Sequence, residues 1–143
     1  MLDNYQNLIE ELLETPKLVR ELLGEGASPE ALALVAELRD RDTAVLDRLQ
    51  RLTRERNAYL RPLPTMDELA ANRGAPGDDA ESLVSSLDTA RGDLVSLLMN
   101  LTLKDWERTG THEIRGEVTV ADEVEEHVEF DEAHVAGIQA AVS

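Results

Sequence analysis

The chain has 143 residues, no cysteine and a formal net charge of −16 at pH 7. This length suits a single domain, over residues 1–143, that buries roughly 68–70% of its unfolded surface. Hydrophobic residues make up 42%, which excludes a disordered acidic tail. The missing cysteines exclude disulfides, thiolate metal sites and a cysteine nucleophile, and the charge argues against a nucleic-acid partner.

The first predicted helix covers residues 3–23, with Asp3 as its cap. Its apolar residues recur at spacings of three and four, the pattern of an amphipathic helix. Thr15–Pro16 predicts a break or a restart, because proline is not tolerated in a helix interior. The acidic start lacks the basic and apolar stretches of a signal peptide, and no run reaches the ~18–20 apolar residues of a membrane span. We therefore expect a cytoplasmic protein with no membrane partner.

The second predicted helix covers residues 29–60, opened by Ser28 as cap and Pro29 in the first turn. Its apolar seam advances by four and three residues, as bundle cores do, and includes one acid, Asp42. The sequence Arg61-Pro-Leu-Pro64 is predicted to end it.

A short helix near 66–72 follows, because Thr65 and Glu68 form a capping-box pattern, and Ala75–Gly77 closes the connection. The third predicted helix covers 79–102, residues 104–118 are predicted to be a structured loop, and the fourth helix covers 120–141. The fourth seam also contains an acid, Asp131. No stretch alternates convincingly as a strand, so the sequence predicts an all-α four-helix bundle without a sheet and with a short extra helix between the second and third helices.

Two acids and three histidines are the candidates for chemistry. Asp42 and Asp131 fall on buried helical faces, where a carboxylate is costly unless it is paired or hydrogen-bonded. Each acid therefore either reaches an arginine, a backbone group or the open end of the bundle, or lines a polar pocket between the second and fourth helices. His112 is predicted to make structural hydrogen bonds in the loop. His127 and His134 stand two turns apart, ~10.5 Å along the helix, too far to share one metal ion.

The C-terminal part of the chain is strongly acidic. Residues 116–143 carry eight acids and no lysine or arginine. A solvated helix face explains this pattern, and attraction of cations or of a basic partner is the alternative. The sequence has no glycine-rich phosphate loop, GxSxG elbow, HExxH pair or calcium-binding loop.

The stretch from Leu101 to His112, then Gly116-Glu-Val-Thr119 and Phe130-Asp-Glu-Ala-His134, resembles the C-terminal half of the DinB-like family of metal-binding helical bundles. Glu37-Leu-Arg-Asp40 and Asp42 fall where that family commonly shows His-Leu-x-Asp-x-Glu. The resemblance extends from about Leu32 to Ile138.

The resemblance implies a four-helix bundle, often dimeric, that holds a divalent metal through three histidines. One histidine comes from the second helix and two come from an HxxxH pair on the fourth. Characterised relatives include thiol-dependent transferases and isomerases. In this chain Glu37 and Phe130 replace two of the histidines and only His134 remains, so the resemblance implies a degenerate site without a bound metal.

Three functions are open at this stage. The first is a bundle that has lost its metal and binds a small molecule or a partner, with Glu37, Asp42, Phe130, Asp131 and His134 around its pocket. The second is a metal- and thiol-dependent transferase or hydrolase that holds zinc or nickel through Glu37 and His134, with His127 or Asp42 recruited. The third is an interaction bundle whose acidic surface meets a basic partner. A homodimer is expected from the resemblance.

Overall fold

A computed structural model describes residues 2–24, 26–73 and 79–142. The described chain forms six helices and three short strands. The helices are α1 (Leu2–Leu23), α2 (Pro29–Arg54), α3 (Met66–Arg73), α4 (Ala80–Met99), α5 (Leu103–Trp106) and α6 (Val120–Val142). The strands are β1 (Ala58–Leu60), β2 (Thr109–His112) and β3 (Gly116–Thr119).

The four long helices α1, α2, α4 and α6 form the predicted bundle. Both α1 and α2 pack extensively against α4 and α6, so α1 and α2 lie on one diagonal and α4 and α6 on the other. None of the described helices is long and apolar enough to cross a lipid bilayer. The all-α fold class is confirmed, and the short extra helix α3 lies where the Thr65–Glu68 capping pattern predicts it. The predicted cap side chain of Asp3 and the turn at 75–77 fall outside the part that the structure describes.

The break predicted at Thr15–Pro16 is wrong, because α1 continues through Pro16. Proline lacks the N–H that would bond the carbonyl four residues earlier. Here that carbonyl belongs to Leu12, and it accepts a hydrogen bond of 2.7 Å from Nη1 of Arg91 instead. A side chain from α4 thus satisfies the carbonyl that Pro16 leaves open, and the helix does not have to end.

The predicted end of the second helix at residue 60 is also wrong. Helix α2 stops at Arg54, and Asn57 takes a left-handed backbone conformation (φ 50°). Asparagine tolerates that conformation better than most residues and often follows a helix end. The Arg108 side chain also donates to the carbonyls of Leu52 and Glu55. The chain therefore leaves the helix and enters β1.

A three-stranded sheet in the order β1-β2-β3 contradicts the expectation of no sheet. Strand β1 runs parallel to β2, and β2 pairs antiparallel with β3. Gly110 permits the close approach of β2 to α2, because a Cβ there would lie 2.6 Å from Leu52 and 2.8 Å from the Ala58 carbonyl. Gly116 (φ 80°) closes the hairpin in the left-handed conformation that suits glycine. The sheet covers one end of the bundle, and the four long helices are arranged as the sequence predicts.

The segment predicted as an irregular loop contains one further helix. The four-residue helix α5 begins at a capping box in which Thr102 and Asp105 bond each other's backbone N–H. Its Trp106 is buried and stacks on Tyr5 of α1 with ring centroids 4.6 Å apart. The third predicted helix is correspondingly shorter than expected and ends at Met99.

The hydrophobic core consists of two clusters, one above the other along the bundle axis. The first cluster packs the sheet and Trp106 against Leu12, Leu49 and Leu94. The second packs the opposite halves of the four long helices around Leu38, Leu87 and Ile138. On every long helix, a polar residue separates the stretch in the first cluster from the stretch in the second.

Candidate functional site

The residues between the two apolar clusters form a polar layer that reaches all four long helices. Its members are Thr15 of α1, Asp42 of α2, Arg91 of α4, and His127 and Asp131 of α6. None exposes more than 5% of its surface, and Asp42 exposes none. The interior placement predicted for Asp42 and Asp131 is confirmed.

Arg91 lies at the centre of this layer and bonds both acids. Its Nε and Nη2 donate to the Asp42 carboxylate over 2.9–3.2 Å. Its Nη1 and Nη2 donate to the two oxygens of Asp131 at 2.7 and 2.8 Å. Guanidinium and carboxylate groups match in this two-pronged geometry, which gives strong and directional bonds. The acids thus find an arginine, one of the two alternatives that the sequence left open.

The remaining bonding capacity of these groups is used within the layer. Thr15 donates its hydroxyl to Asp131 at 3.0 Å. Burial disfavours the charged form of Arg91, but the attraction of Asp42 and the hydrogen bond to Asp131 outweigh it, so the pKa of Arg91 is raised above its ordinary value. Arg91 is therefore a permanent cation that holds two carboxylates.

His127 occupies the edge of the same layer. Its Nε2 lies 2.6 Å from Oδ1 of Asp42, and since that carboxylate accepts bonds from Arg91, the imidazole is the donor. Its Nδ1 is buried and has no hydrogen-bond partner among the described residues. His127 thus spends one nitrogen on orienting Asp42 and leaves the other unused.

A group of three residues, Glu37, Phe130 and His134, lies further along α2 and α6, and we call it the rim cluster. The two helices run antiparallel, so Glu37, which precedes Asp42 on α2, meets His134, which follows His127 on α6. His134 Nε2 lies 2.9 Å from Oε1 of Glu37. Their side chains expose 13% and 25%, which places the cluster at the rim of the bundle and outside its closed interior.

Phe130 fills the third position of this cluster. Its ring stacks on the His134 imidazole with centroids 4.0 Å apart and planes 23° from parallel. The Arg41 guanidinium lies over the same Phe130 ring, 4.5 Å from its centroid. A cation over an aromatic face is a favourable contact. The structure thus brings Glu37, Phe130 and His134 together, at the positions where the family resemblance implies metal ligands.

The residues present do not fit a metal ion at this position. A catalytic zinc site has roughly three protein ligands, whereas Glu37 and His134 are two donors and the Phe130 ring has no lone pair to offer. His127 and Asp42, the candidates for recruitment, are bonded to each other. Among residues 2–24, 26–73 and 79–142, no three His, Asp or Glu side chains are grouped so that they could hold a metal ion.

A third ionic group joins α2, the hairpin and α6. Arg48 and Arg115 both bond Glu123, at 3.1 and 2.9 Å, and Glu123 exposes only 3% of its surface. Arg115 also pairs with Glu126 at 2.8 Å. Glu123 and Glu126, like Asp131, are therefore paired with arginines of the same chain, which qualifies the prediction of a solvated acidic face.

His112 makes the structural hydrogen bonds predicted for it. Its Nδ1 accepts from the backbone N–H groups of Ile114 and Arg115, both at 3.1 Å, and so ties the hairpin turn. Burial, with the nearby charges of Arg115 and Arg48, lowers the pKa of His112 below its ordinary value. A proton on Nδ1 would face two N–H donors, so the geometry requires the neutral ring.

Arg91 and Arg41 are the residues that sequence reasoning missed. Arg91 continues the series Leu83, Leu87 and then Leu94, with the same steps of four and three, so the spacing carried the signal. An arginine in a buried seam predicts an acid on a facing helix. Arg41 gave no comparable signal, because a charged residue next to a seam is ordinary in a helix.

The fold and the clusters define a class: a four-helix bundle with a small sheet at one end, a polar layer across its core, and Glu37, Phe130 and His134 together at its rim. Among solved structures, the chain is similar to YfiT from Bacillus subtilis, with a TM-score of 0.83 and 17% identity. The match covers 98% of this chain and 86% of that one. YfiT is described as a probable metal-dependent hydrolase with an unusual four-helix bundle topology.

This likeness confirms the predicted fold, a four-helix bundle of the DinB-like type. At 17% identity it bears on the fold alone. No protein-family model and no curated protein sequence matches the chain.

Proposed function

We propose that this protein is a DinB-like bundle that has exchanged its metal centre for a side-chain cluster and acts by binding a small molecule or a partner. One observation carries the proposal: the Phe130 ring stacks at 4.0 Å on the His134 imidazole, whose Nε2 is bonded to Glu37. An aromatic ring thus occupies the place where the family resemblance implies a ligand atom.

The surroundings of Phe130 support the same conclusion. Arg41 places a positive charge 4.5 Å from the centroid of that ring. Arg41 is itself paired with Glu126 at 3.7 Å. The Phe130 ring is thus held by contacts with a guanidinium and an imidazole, and it offers no lone pair. The cluster therefore lacks a third donor.

The test is the metal content of protein purified without an affinity tag or a chelator, measured by elemental analysis. We expect zinc, nickel, manganese and iron each far below one equivalent per chain. A full equivalent of one of these metals, retained after gel filtration, would overturn the proposal.

The alternative function is a metal- and thiol-dependent transferase or hydrolase. It is favoured by the fold of YfiT, described as a probable metal-dependent hydrolase, and by the two donors that remain in Glu37 and His134. This function requires a third donor that the described residues do not provide. A stoichiometric metal in the elemental analysis would select this alternative.

The homodimer stays a prediction that we carry into the proposal. Leu13 and Leu18 of α1 expose 43% and 41% of their surface, and cyclic two-fold dimers are the commonest oligomers. Light scattering at micromolar concentration should give twice the 15.8 kDa mass of the chain. A monomer mass alone would refute the dimer and leave the metal proposal standing.

A further inference from the structure

A groove away from Glu37 and His134 lies where α2 ends and the chain passes through β1. It has a volume of about 510 Å³, within the range of ~300–1,000 Å³ that is usual for small-ligand sites. Three arginines and a tyrosine line it, Arg48, Arg51, Arg61 and Tyr59, together with the apolar segment Pro62-Leu63-Pro64 and one acid, Asp47.

The charge of this region is opposite to that of the whole chain. Residues 48–61 contain five arginines and one glutamate, a local net charge of +4 in a chain of −16. Two of the arginines that line the groove are paired with glutamates, Arg48 with Glu123 and Arg51 with Glu55, and Asp47 lies beside them. At physiological ionic strength the Debye length is ~8 Å, so the more distant acids are largely screened. The positive charge that a small anion meets in the groove is therefore that of Arg61.

The two arginines of α2 position the other two residues. Arg48 donates Nη2 to the Arg61 carbonyl, and Arg51 donates Nη2 to the Tyr59 carbonyl at 2.9 Å. Tyr59 and Arg61 are two residues apart along extended backbone, so their side chains project on the same side. Leu60 between them is buried, and both Tyr59 and Arg61 are exposed. The two arginines of α2 thus hold this backbone in place, and the phenol of Tyr59 and the guanidinium of Arg61 project at the groove.

Arg61 is the member of the set that is free to bind. Arg48 is paired with Glu123 and Arg51 with Glu55, whereas the Arg61 guanidinium has no ion pair or hydrogen bond within the described part of the chain. A guanidinium bonds a carboxylate or a phosphate through two parallel N–H donors. The phenol of Tyr59, half exposed, and the proline and leucine wall would receive an apolar body attached to that anionic group.

We infer that this groove binds a small organic anion, in which a carboxylate or phosphate group lies next to an apolar or aromatic body. Arg61 bonds the anionic group, Tyr59 and Leu63 contact the body, and Arg48 and Arg51 act as positioning residues. Asp47 opposes the anion and limits its affinity. The inference goes beyond the proposed function and is independent of metal loss.

The experiment is an NMR titration of ¹⁵N-labelled protein in 0.15 M NaCl with benzoate, phenyl phosphate, inorganic phosphate and benzyl alcohol. We expect saturable shifts at the amides of Tyr59 and Leu63 with benzoate or phenyl phosphate. The tighter of these two identifies carboxylate or phosphate as the preferred group. Inorganic phosphate should bind more weakly because it lacks the apolar body, and benzyl alcohol more weakly because it lacks the charge.

Three substitutions of exposed residues make the test specific. Arg61→Gln should lower the affinity for benzoate and phenyl phosphate roughly tenfold, the loss expected when a charge-assisted hydrogen bond is removed. Arg54→Gln removes the same charge from α2 outside the groove lining and should change affinity less than twofold. Asp47→Asn should tighten binding. Equal effects of Arg61→Gln and Arg54→Gln, tighter binding of benzyl alcohol than of the anions, or no groove shifts with either aromatic anion would each overturn the inference.

Discussion

The polar layer and the rim cluster of Glu37, Phe130 and His134 contain similar groups in different settings. In the layer, Arg91 bonds Asp42 and Asp131, His127 bonds Asp42, and each of these side chains exposes at most 3%. In the cluster, one hydrogen bond joins Glu37 and His134 at the rim, against the ring of Phe130. Both regions join α2 to α6, and both would count as acid–histidine sites on a list of residue types.

The difference lies in the number of partners that each charge has. Every carboxylate of the layer accepts at least three hydrogen bonds, from Arg91 and from His127 or Thr15. Such a group has little capacity left for a substrate or a metal, so the layer holds the helices in register. In the rim cluster a single hydrogen bond of 2.9 Å joins Glu37 and His134, so these side chains keep bonding capacity for another group. We therefore expect ligand binding or reactivity at the rim, and a stabilising role for the layer.

The largest effect should come from the centre of the layer. Arg91→Leu leaves two buried carboxylates and the Leu12 carbonyl without their partner, and breaking a buried pair in this way costs ~3–5 kcal/mol. Urea unfolding should show a loss of that size or no folded protein at all. A loss below about 1 kcal/mol would contradict the role of Arg91, and Arg20→Leu, at an exposed ion pair, is the matched control.

A smaller loss is expected at the margin of the layer. Thr15→Val keeps the shape of the side chain and removes its hydroxyl, which donates to Asp131. Asp131 retains both bonds from Arg91, so we expect a loss of about 1 kcal/mol, the net value of one hydrogen bond. Thr15→Ser keeps the hydroxyl and its bond to Asp131, so its unfolding free energy should fall less than that of Thr15→Val. Equal stabilities of the valine variant and the unmodified protein would show that Thr15 adds nothing to the layer.

The rim cluster should be less sensitive than either position in the layer. Glu37→Gln keeps the shape and removes the carboxylate that bonds His134, and one partly exposed hydrogen bond or charge contact contributes only ~0–1 kcal/mol. Unfolding by urea should therefore change by less than 1 kcal/mol. A loss as large as that of Arg91→Leu would erase the distinction between the two regions.

The hairpin between β2 and β3 is a third region, and its contribution to stability should depend on pH. The folded state holds the pKa of His112 below its unfolded value of ~6.5. Between the two values the unfolded chain binds more protons, so stability rises with pH through this window and falls as the pH drops below ~6.5. His112→Asn can keep an acceptor for the turn without titrating. The unfolding free energy of this variant should depend less on pH between 5.5 and 7.5, and an identical pH profile would refute the assignment.

The sequence predicted the bundle because apolar spacing, proline and capping residues determine long helices locally. It failed at Pro16 and at residues 55–60, where distant contacts decide. The carbonyl freed by Pro16 is satisfied by Arg91, 79 positions from Leu12. Strand β1 exists because it pairs with β2, far along the chain, and three residues cannot display an alternating pattern.

The positions of the layer acids and the rim residues were predictable from the sequence, and their hydrogen-bond partners were less so. The spacing of Asp42 and Asp131 placed both acids inside, and the resemblance brought Glu37, Phe130 and His134 together. Their partners did not follow from the sequence, because Arg91 and Arg41 are identified only once the helices face one another. The sequence also grouped all five residues around one pocket, whereas the structure divides them between the buried layer and the rim.

We propose that the rim cluster lacks the donors for a metal ion while the surrounding bundle keeps its shape. The most direct measurement is calorimetric titration of zinc and nickel into the unmodified protein, into Glu37→His/Phe130→His, and into the control Glu37→His/Phe130→Leu. The first and third should show no stoichiometric binding, and the second should bind one ion through three imidazoles. At free metal 100-fold above its dissociation constant, that variant should gain about 2.7 kcal/mol of stability. Tight stoichiometric binding by the unmodified protein, or failure of the double-histidine variant to bind either metal, would contradict the claim.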